Sequence, residues 1–314
     1  MRNFLSFFVF VLSGLFLQPL DLWASDGKQD QNQRGPQSGW STFIRGGAVY
    51  QFDSDLDEGG SYKTSRFNIQ AGQGYAWSRR TSVSLALSYS NDDYSFSQGE
   101  GSGISALNPW DTVHTLSVSV PMRLGMNEEW SAFFIPSLRS TGESDAEFSD
   151  TLTGGALVGF AYRFGDRLTL GPGIGVINQL EESASVFPIL IIDWKITDRI
   201  SLETGRGLAA TLGPGLSLNY RASQKWNFAI GGRYEKLRFR LDKDGKIPNG
   251  IGEDTSIPLF VNCTYSFSPK STLSLLGGVE LDAELQVEDE DGKTIVEESG
   301  DPALFGGLAF SLRF

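Results

Sequence analysis

The chain has 314 residues, a formal net charge of −12, 37 Gly, one Cys and one His. The acidic balance offers no basic patch to meet nucleic-acid phosphates, and a lone cysteine, Cys263, excludes a disulfide framework. Beyond residue 24 no run of 18 apolar residues occurs, which excludes a bilayer-spanning helix.

The first segment, MRNFLSFFVFVLSGLFLQPLDLWAS, begins with one basic residue, Arg2, followed by an apolar run from Phe4 to about Leu17 and the small-residue pattern Leu22-Trp23-Ala24. This reads as a secretory signal peptide (residues 1–24) cleaved after Ala24. The apolar run is shorter than the ~20 residues a spanning helix needs, and no Cys follows the cut to carry a lipid. Residues 25–39, SDGKQDQNQRGPQSG, are polar and aperiodic and read as a flexible periplasmic lead-in.

From residue 40 to 314 one unit repeats: about ten residues of strict alternation, a short turn, a second alternating stretch and a longer, acidic loop. In SVSLALSYS, Val83, Leu85, Leu87 and Tyr89 share one face and the serines the other. In TLTGGALVGFAYRF, Ala156, Val158, Phe160, Tyr162 and Phe164 oppose Gly155, Gly159 and Arg163. The predicted strands are 40–52, 62–77, 82–91, 110–123, 129–139, 151–164, 167–177, 186–196, 199–207, 213–221, 226–239, 256–267, 271–285 and 302–314, fourteen in all, with twelve as the alternative where 199–207 and 213–221 are not two separate strands. The short connections are SRRT, GMNEE, GDR, TDR, ASQK and SPKS. The long ones include DSDLDEGGS, residues 92–109, NQLEESAS, 241–255 and 286–301.

Short turns at one rim and long loops at the other describe an all-β, transmembrane up-and-down antiparallel β-barrel of about 12–14 strands, with the short turns in the periplasm. A soluble β-sandwich or lipocalin-like barrel shares the alternation but turns its apolar faces inward. Tryptophan separates the two. Trp40, Trp77, Trp130, Trp194 and Trp226 all lie beside short turns or the lead-in, and Trp110 lies at the opposite rim. An indole prefers the lipid headgroup level, whereas a soluble core has no reason to confine Trp to one rim.

The chain ends LFGGLAFSLRF. Leu308, Phe310, Leu312 and Phe314 alternate to the last residue, a pattern that resembles the C-terminal assembly signal of bacterial outer-membrane barrels, with Gly306 and Gly307 further from the end than in its commonest form. That resemblance implies reading by the barrel-insertion machinery. More broadly, Leu168–Phe314 resembles an uncharacterised domain-of-unknown-function family of outer-membrane β-barrels. The stretches that carry it are LGPGIGV (170–176), DWKITDRISLETGRG (193–207), RFRLDKDG (238–245), PNGIGEDTSIPLF (248–260) and the FSLRF end. The resemblance implies the fold and location in the bacterial outer membrane, with outer-membrane lipid and lipopolysaccharide as surroundings; it implies no activity.

Candidate chemistry is sparse. His114 shares parity with Leu116 and Val118 on the expected lipid face, while Ser117 and Ser119 point the other way, so no Ser–His pair forms within this strand and no catalytic residue or enzyme activity is expected. Asp53, Asp55 and Asp57 mimic the start of a calcium loop, but the Gly falls one place late and residue twelve is Thr64. No metal, cofactor or cofactor-binding residue is therefore expected. Divalent ions could meet the acidic loops only loosely. The glycines of LGPGIG read as close lumen packing, and Asp-Gly at 244–245 and 291–292 as hairpin turns.

By parity Arg45, Arg66, Arg123, Arg139, Arg163, Arg221 and Arg233 point into the lumen, together with Asp193, Lys195, Glu203, Glu235, Glu280, Asp282 and Glu284. Mixed charge in a wet interior suits two roles. One is a porin-like passive channel for small hydrophilic solutes. The other is a non-conducting structural or surface-interaction barrel whose acidic extracellular loops bind ions or partners. Barrels of this size fall between those filled by side chains and those with open channels, and the oligomeric state stays open.

Overall fold

The computed structural model describes residues 38–97, 103–205 and 215–314. The expected leader, its cleavage after Ala24 and all but the end of the lead-in lie outside the described residues. Seventeen strand segments form one sheet closed on itself. They are β1 (Gly39–Asp55), β2 (Ser61–Ser78), β3 (Thr81–Ser97), β4 (Thr112–Ser119), β5 (Met122–Gly125), β6 (Trp130–Glu143), β7 (Leu152–Phe164), β8 (Leu168–Gln179), β9 (Glu182–Lys195), β10 (Ile200–Thr204), β11 (Gly215–Arg221), β12 (Trp226–Arg233), β13 (Glu235–Arg240), β14 (Ile251–Ser268), β15 (Ser271–Glu288), β16 (Thr294–Gly300) and β17 (Ala303–Arg313). Three staves are each broken in two (β4–β5, β12–β13 and β16–β17), so the described residues build fourteen staves, all paired antiparallel with their neighbours.

Closure is made by the two ends of the chain. β1 pairs with β17 from Phe43↔Arg313 to Gln51↔Phe305. The last residue joins the ladder: the Phe314 N–H donates to the Thr42 carbonyl at 2.8 Å. A closed ladder leaves no strand edge, the condition for β-structure in lipid.

The outer face settles which way the alternation points. Leu85, Leu87, Leu116, Val158, Phe160, Leu190, Ile230, Val261, Leu275 and Leu308 are all exposed, Leu275 by 62%. Apolar exposure on this scale is unsustainable in water; in a bilayer each side chain recovers roughly 25 cal/mol per Å² of covered apolar surface. The barrel is therefore a membrane barrel, and the soluble alternative falls. Trp40, Trp77, Trp130, Trp194 and Trp226 stand exposed at the short-turn rim as an aromatic girdle.

Four local expectations change. Trp110 does not join an outer girdle: it is 2% exposed, inside the outward end of the barrel. The β3 strand runs on to Ser97 because Tyr94 is buried in the same interior cluster. The expected long loop at 178–185 is instead a tight turn, since β8 and β9 stay paired to Gln179↔Glu182. Asp-Gly at 244–245 lies within a ten-residue connection between β13 and β14, where the Gly245 N–H closes a turn on the Asp242 carbonyl.

Candidate functional site

Three layers fill the described interior. The outward layer is apolar. Leu56, Tyr62, Tyr94, Ile104, Trp110, Val113, Phe239, Leu241, Ala283, Leu285 and Val287 form one buried cluster. Trp110 meets Phe239 edge to face at 5.1 Å and Tyr94 at 5.8 Å. This closure depends on β13. The stave breaks at Tyr234, and β13 then leans inward across the mouth while staying paired with β14. Its far end reaches the opposite wall, where Arg240 bridges Gly142 of β6 in a parallel sense. Nine staves thereby close into a smaller ring at the outward end, with the aromatic cluster inside it.

Beneath this roof lies an ion layer centred on Arg66 of β2. Its Nη2 is 3.0 Å from Asp254 Oδ2 and 3.5 Å from Glu280 Oε1. Its Nη1 is 3.2 Å from Glu235 Oε2, and its Nε is 3.9 Å from Asp92 Oδ1. The Tyr94 hydroxyl donates to Asp254 Oδ2 at 2.7 Å. One guanidinium thus ties β2 to β3, β13, β14 and β15 through a site buried from water, where an ionic bond is strong and a missing partner is costly. The other face of β13 is held as firmly. Arg238 donates to Glu253 at 2.9 Å, to Glu288 and to the Leu180 carbonyl at 2.9 Å, and Arg240 pairs with Glu181. The tight β8–β9 turn is therefore a strut against the leaning strand.

Below the ion layer the wall is apolar on two sides. Phe133, Ile135, Leu157, Ala161, Ile177, Phe187, Ile189 and Ile191 line β6–β9, and Val49, Phe260, Leu276, Phe305 and Ala309 form the second patch. Inward glycines shape the first wall. A Cβ on Gly159 would stand 2.6 Å from the Phe133 ring, and one on Gly173 3.0 Å from it. The Phe133 ring therefore packs against bare backbone at both glycines.

The predicted lumen residues scatter across these layers. Arg66, Glu235 and Glu280 meet in the ion layer, Glu280 only 3% exposed. Arg233 is buried beside them, 3.9 Å from Glu235 Oε1 and with its guanidinium 5.6 Å from the centre of the Phe260 ring. Arg139 is half-buried on β6 within Coulombic reach of Asp92. Arg163 is exposed at the short-turn rim, donating to the Glu128 carbonyl at 2.8 Å. Asp282 and Glu284 do not continue the face of Glu280. Asp282 has φ 52° and marks a bulge between Thr255↔Glu284 and Ile257↔Leu281. Past the bulge Ala283, Leu285 and Val287 turn inward instead. Sequence reasoning missed Asp92, Asp254, Tyr94 and the β13 cations; aromatic residues at 94, 96 and 110 amid an acidic stretch were the available signal.

Among the described residues no group of three or more His, Cys, Asp or Glu side chains is arranged to hold a metal ion. In the acidic loop, the Glu58 N–H donates to Glu298 Oε1 at 2.7 Å.

No curated protein matches the chain in sequence. Several solved barrels are similar in fold. An outer-membrane channel from Pseudomonas putida F1 is 12% identical, with 91% of this chain and 100% of that one covered and a TM-score of 0.46. The P. putida toluene transporter TodX is 11% identical over 89% and 91% of the two chains, TM-score 0.44. A Pseudomonas aeruginosa FadL homologue is 12% identical over 87% and 88%, TM-score 0.39. Residues 94–314, well over half of the chain, match a single family. The protein is a member of that family, described as a domain of unknown function, DUF6268.

Proposed function

We propose that the protein is an outer-membrane channel closed at rest, whose opening requires the β13–β14 hairpin to leave the mouth, and whose apolar wall suits small apolar solutes. The observation that carries this reading is the eight-residue apolar wall of β6–β9 under an apolar roof. A passive pore for hydrophilic solutes needs a polar lumen in contact with water. Here inward residues from Gln51 and Gln70 down to Ser131 and Ala309 are buried. The same burial supports the second reading, a non-conducting structural barrel.

Two measurements on refolded protein separate these. In planar bilayers the wild type should give no steady conductance, and its expression in cells should raise entry of the apolar fluorophore N-phenyl-1-naphthylamine. Steady ohmic conductance would restore the open hydrophilic pore. Silence in both assays would favour the structural barrel.

We also propose that Leu308, Phe310, Leu312 and Phe314 form a signal for the barrel-insertion machinery. Their side chains stand on the lipid face, Phe314 64% exposed. Burying one Phe is worth roughly 1.5–3 kcal/mol, too little to decide the stability of a large barrel. Deleting Phe314 should therefore cut the yield of inserted, heat-modifiable protein several-fold while secretion continues. Normal insertion of the deletion variant at native expression would reduce the ending to a packing contact.

A further inference from the structure

The lone histidine has a partner that its own strand could not provide. His114 lies on the outward face of β4, and the register His114↔Gly142 places it beside the end of β6. Ser144 follows β6 in a turn closed by the Ala146 N–H on the Glu143 carbonyl at 3.2 Å. Its Oγ is 3.0 Å from His114 Nε2. On the far side of the ring, Nδ1 is 2.9 Å from the Tyr89 hydroxyl, and the two rings stack at 6.0 Å with 18° between their planes. Asn91 Nδ2 reaches the same nitrogen at 3.4 Å. In the tautomer that carries its proton on Nδ1 and donates it to Tyr89, Nε2 is the acceptor for the Ser144 hydroxyl. A nucleophile, a base and a group orienting the base are therefore aligned.

The depth of the pair names its substrate. Tyr89 opposes Leu116, and Leu87 opposes Val118, directly below His114. These four, with Leu138, are exposed on the lipid face. The pair thus sits at the upper edge of the apolar band, where the ester linkages of outer-leaflet lipids lie between headgroup and chain.

We propose that Ser144 and His114 form a hydrolytic site for the acyl esters of outer-leaflet lipids, separate from the lumen. Ser144 Oγ adds to the ester carbonyl as its proton passes to His114 Nε2. The carbon–oxygen bond to the alcohol then breaks, and His114 returns the proton to the leaving oxygen. Water attacks the acyl-serine by the same route, releasing the carboxylic acid and restoring the hydroxyl. In the turn that the Ala146 N–H closes on the Glu143 carbonyl, the N–H groups of Ser144 and Asp145 take no part in the closing bond, and they are assigned to the developing oxyanion.

The test uses full-length refolded barrel in detergent micelles, a fluorophosphonate probe and p-nitrophenyl laurate. The probe should label Ser144 covalently, and laurate release should fall at least ~100-fold in Ser144→Ala and His114→Asn, the scale of losing a nucleophile or general base. Ser149→Ala, on the same exposed loop, should match wild type, and heat-modifiability verifies that each variant is folded. Folded wild type that takes no label, label that persists in Ser144→Ala, or hydrolysis unchanged by either substitution would each overturn the proposal.

Discussion

Arg66→Ala is expected to turn a silent barrel into a conducting one. The substitution leaves Asp254, Glu280 and Glu235 buried without the cation that holds them together across the lumen. Breaking a buried ion pair from one side costs roughly 3–5 kcal/mol. Four carboxylates, Asp92 at 3.9 Å among them, share this cation, so their mutual repulsion adds to the loss. The barrel wall itself, with its continuous ladder, is not what Arg66 holds. Of the elements it restrains, β13 is the one that leaves the barrel wall, and without Arg66 its charged contacts with other staves reduce to those of Lys236, Arg238 and Arg240. The hairpin should therefore swing off the mouth before the barrel unfolds, giving conductance steps in planar bilayers and a lower melting temperature. Arg66→Lys keeps the charge but loses the fork that reaches several carboxylates at once, and should show an intermediate, flickering phenotype. An Arg66→Ala barrel that folds, melts like wild type and stays silent would mean the roof is held by apolar packing alone.

The second large effect is expected from a single methyl group. Gly171→Ala should strongly reduce the yield of folded barrel, while Gly154→Ala should not. At Gly171 the β7 and β8 backbones approach closely: a Cβ would run into the Phe160 carbonyl oxygen and come within 2.7 Å of the Ala161 Cα. Backbone cannot rotate aside as a side chain can, so the ladder must separate locally. Overpacking of this kind costs ~1–3 kcal/mol or more. At Gly154 the nearest heavy atoms to a Cβ are 3.9 Å away, which is ordinary contact, and a change within about 0.5 kcal/mol is expected. Urea unfolding of the two variants in detergent, read by tryptophan fluorescence, makes the comparison. Equal stabilities would show that the wall is looser at Gly171 than its geometry states.

What the sequence disclosed follows from how local each feature is. Side-chain direction in a strand has period two, so Leu308, Phe310 and Leu312 could be assigned to one face without any structure. Trp placement beside SRRT, TDR or ASQK needed only the position of a turn. The fourteen staves are of this kind. Parity fails wherever a residue is added to one strand only. The bulge at Asp282 reverses every side chain beyond it, so Asp282 and Glu284 were placed on the wrong face. The break at Tyr234 is another such event. Nothing in the alternation of WNFAIGGRYEKLRFR distinguishes a straight stave from one that turns across the mouth, although Arg238 and Arg240 in a stretch of lumen hinted at carboxylate partners. The Ser144–His114 pair joins residues 30 apart in sequence, and strand register, which parity cannot supply, brings them together.

The central claim, a barrel whose outward mouth is sealed by packed apolar side chains, is tested most directly by chemical access from outside the cell. In a Cys263→Ser background, Leu285→Cys would place a thiol in the sealed cluster, where Leu285 is fully buried, and Asp291→Cys one on the exposed β15–β16 turn. A charged, membrane-impermeant methanethiosulfonate applied to intact cells should modify the thiol at position 291 within seconds and leave that at 285 unmodified until the barrel is unfolded. Modification of both at similar rates would show water reaching through the roof, and the closed-channel account would be wrong.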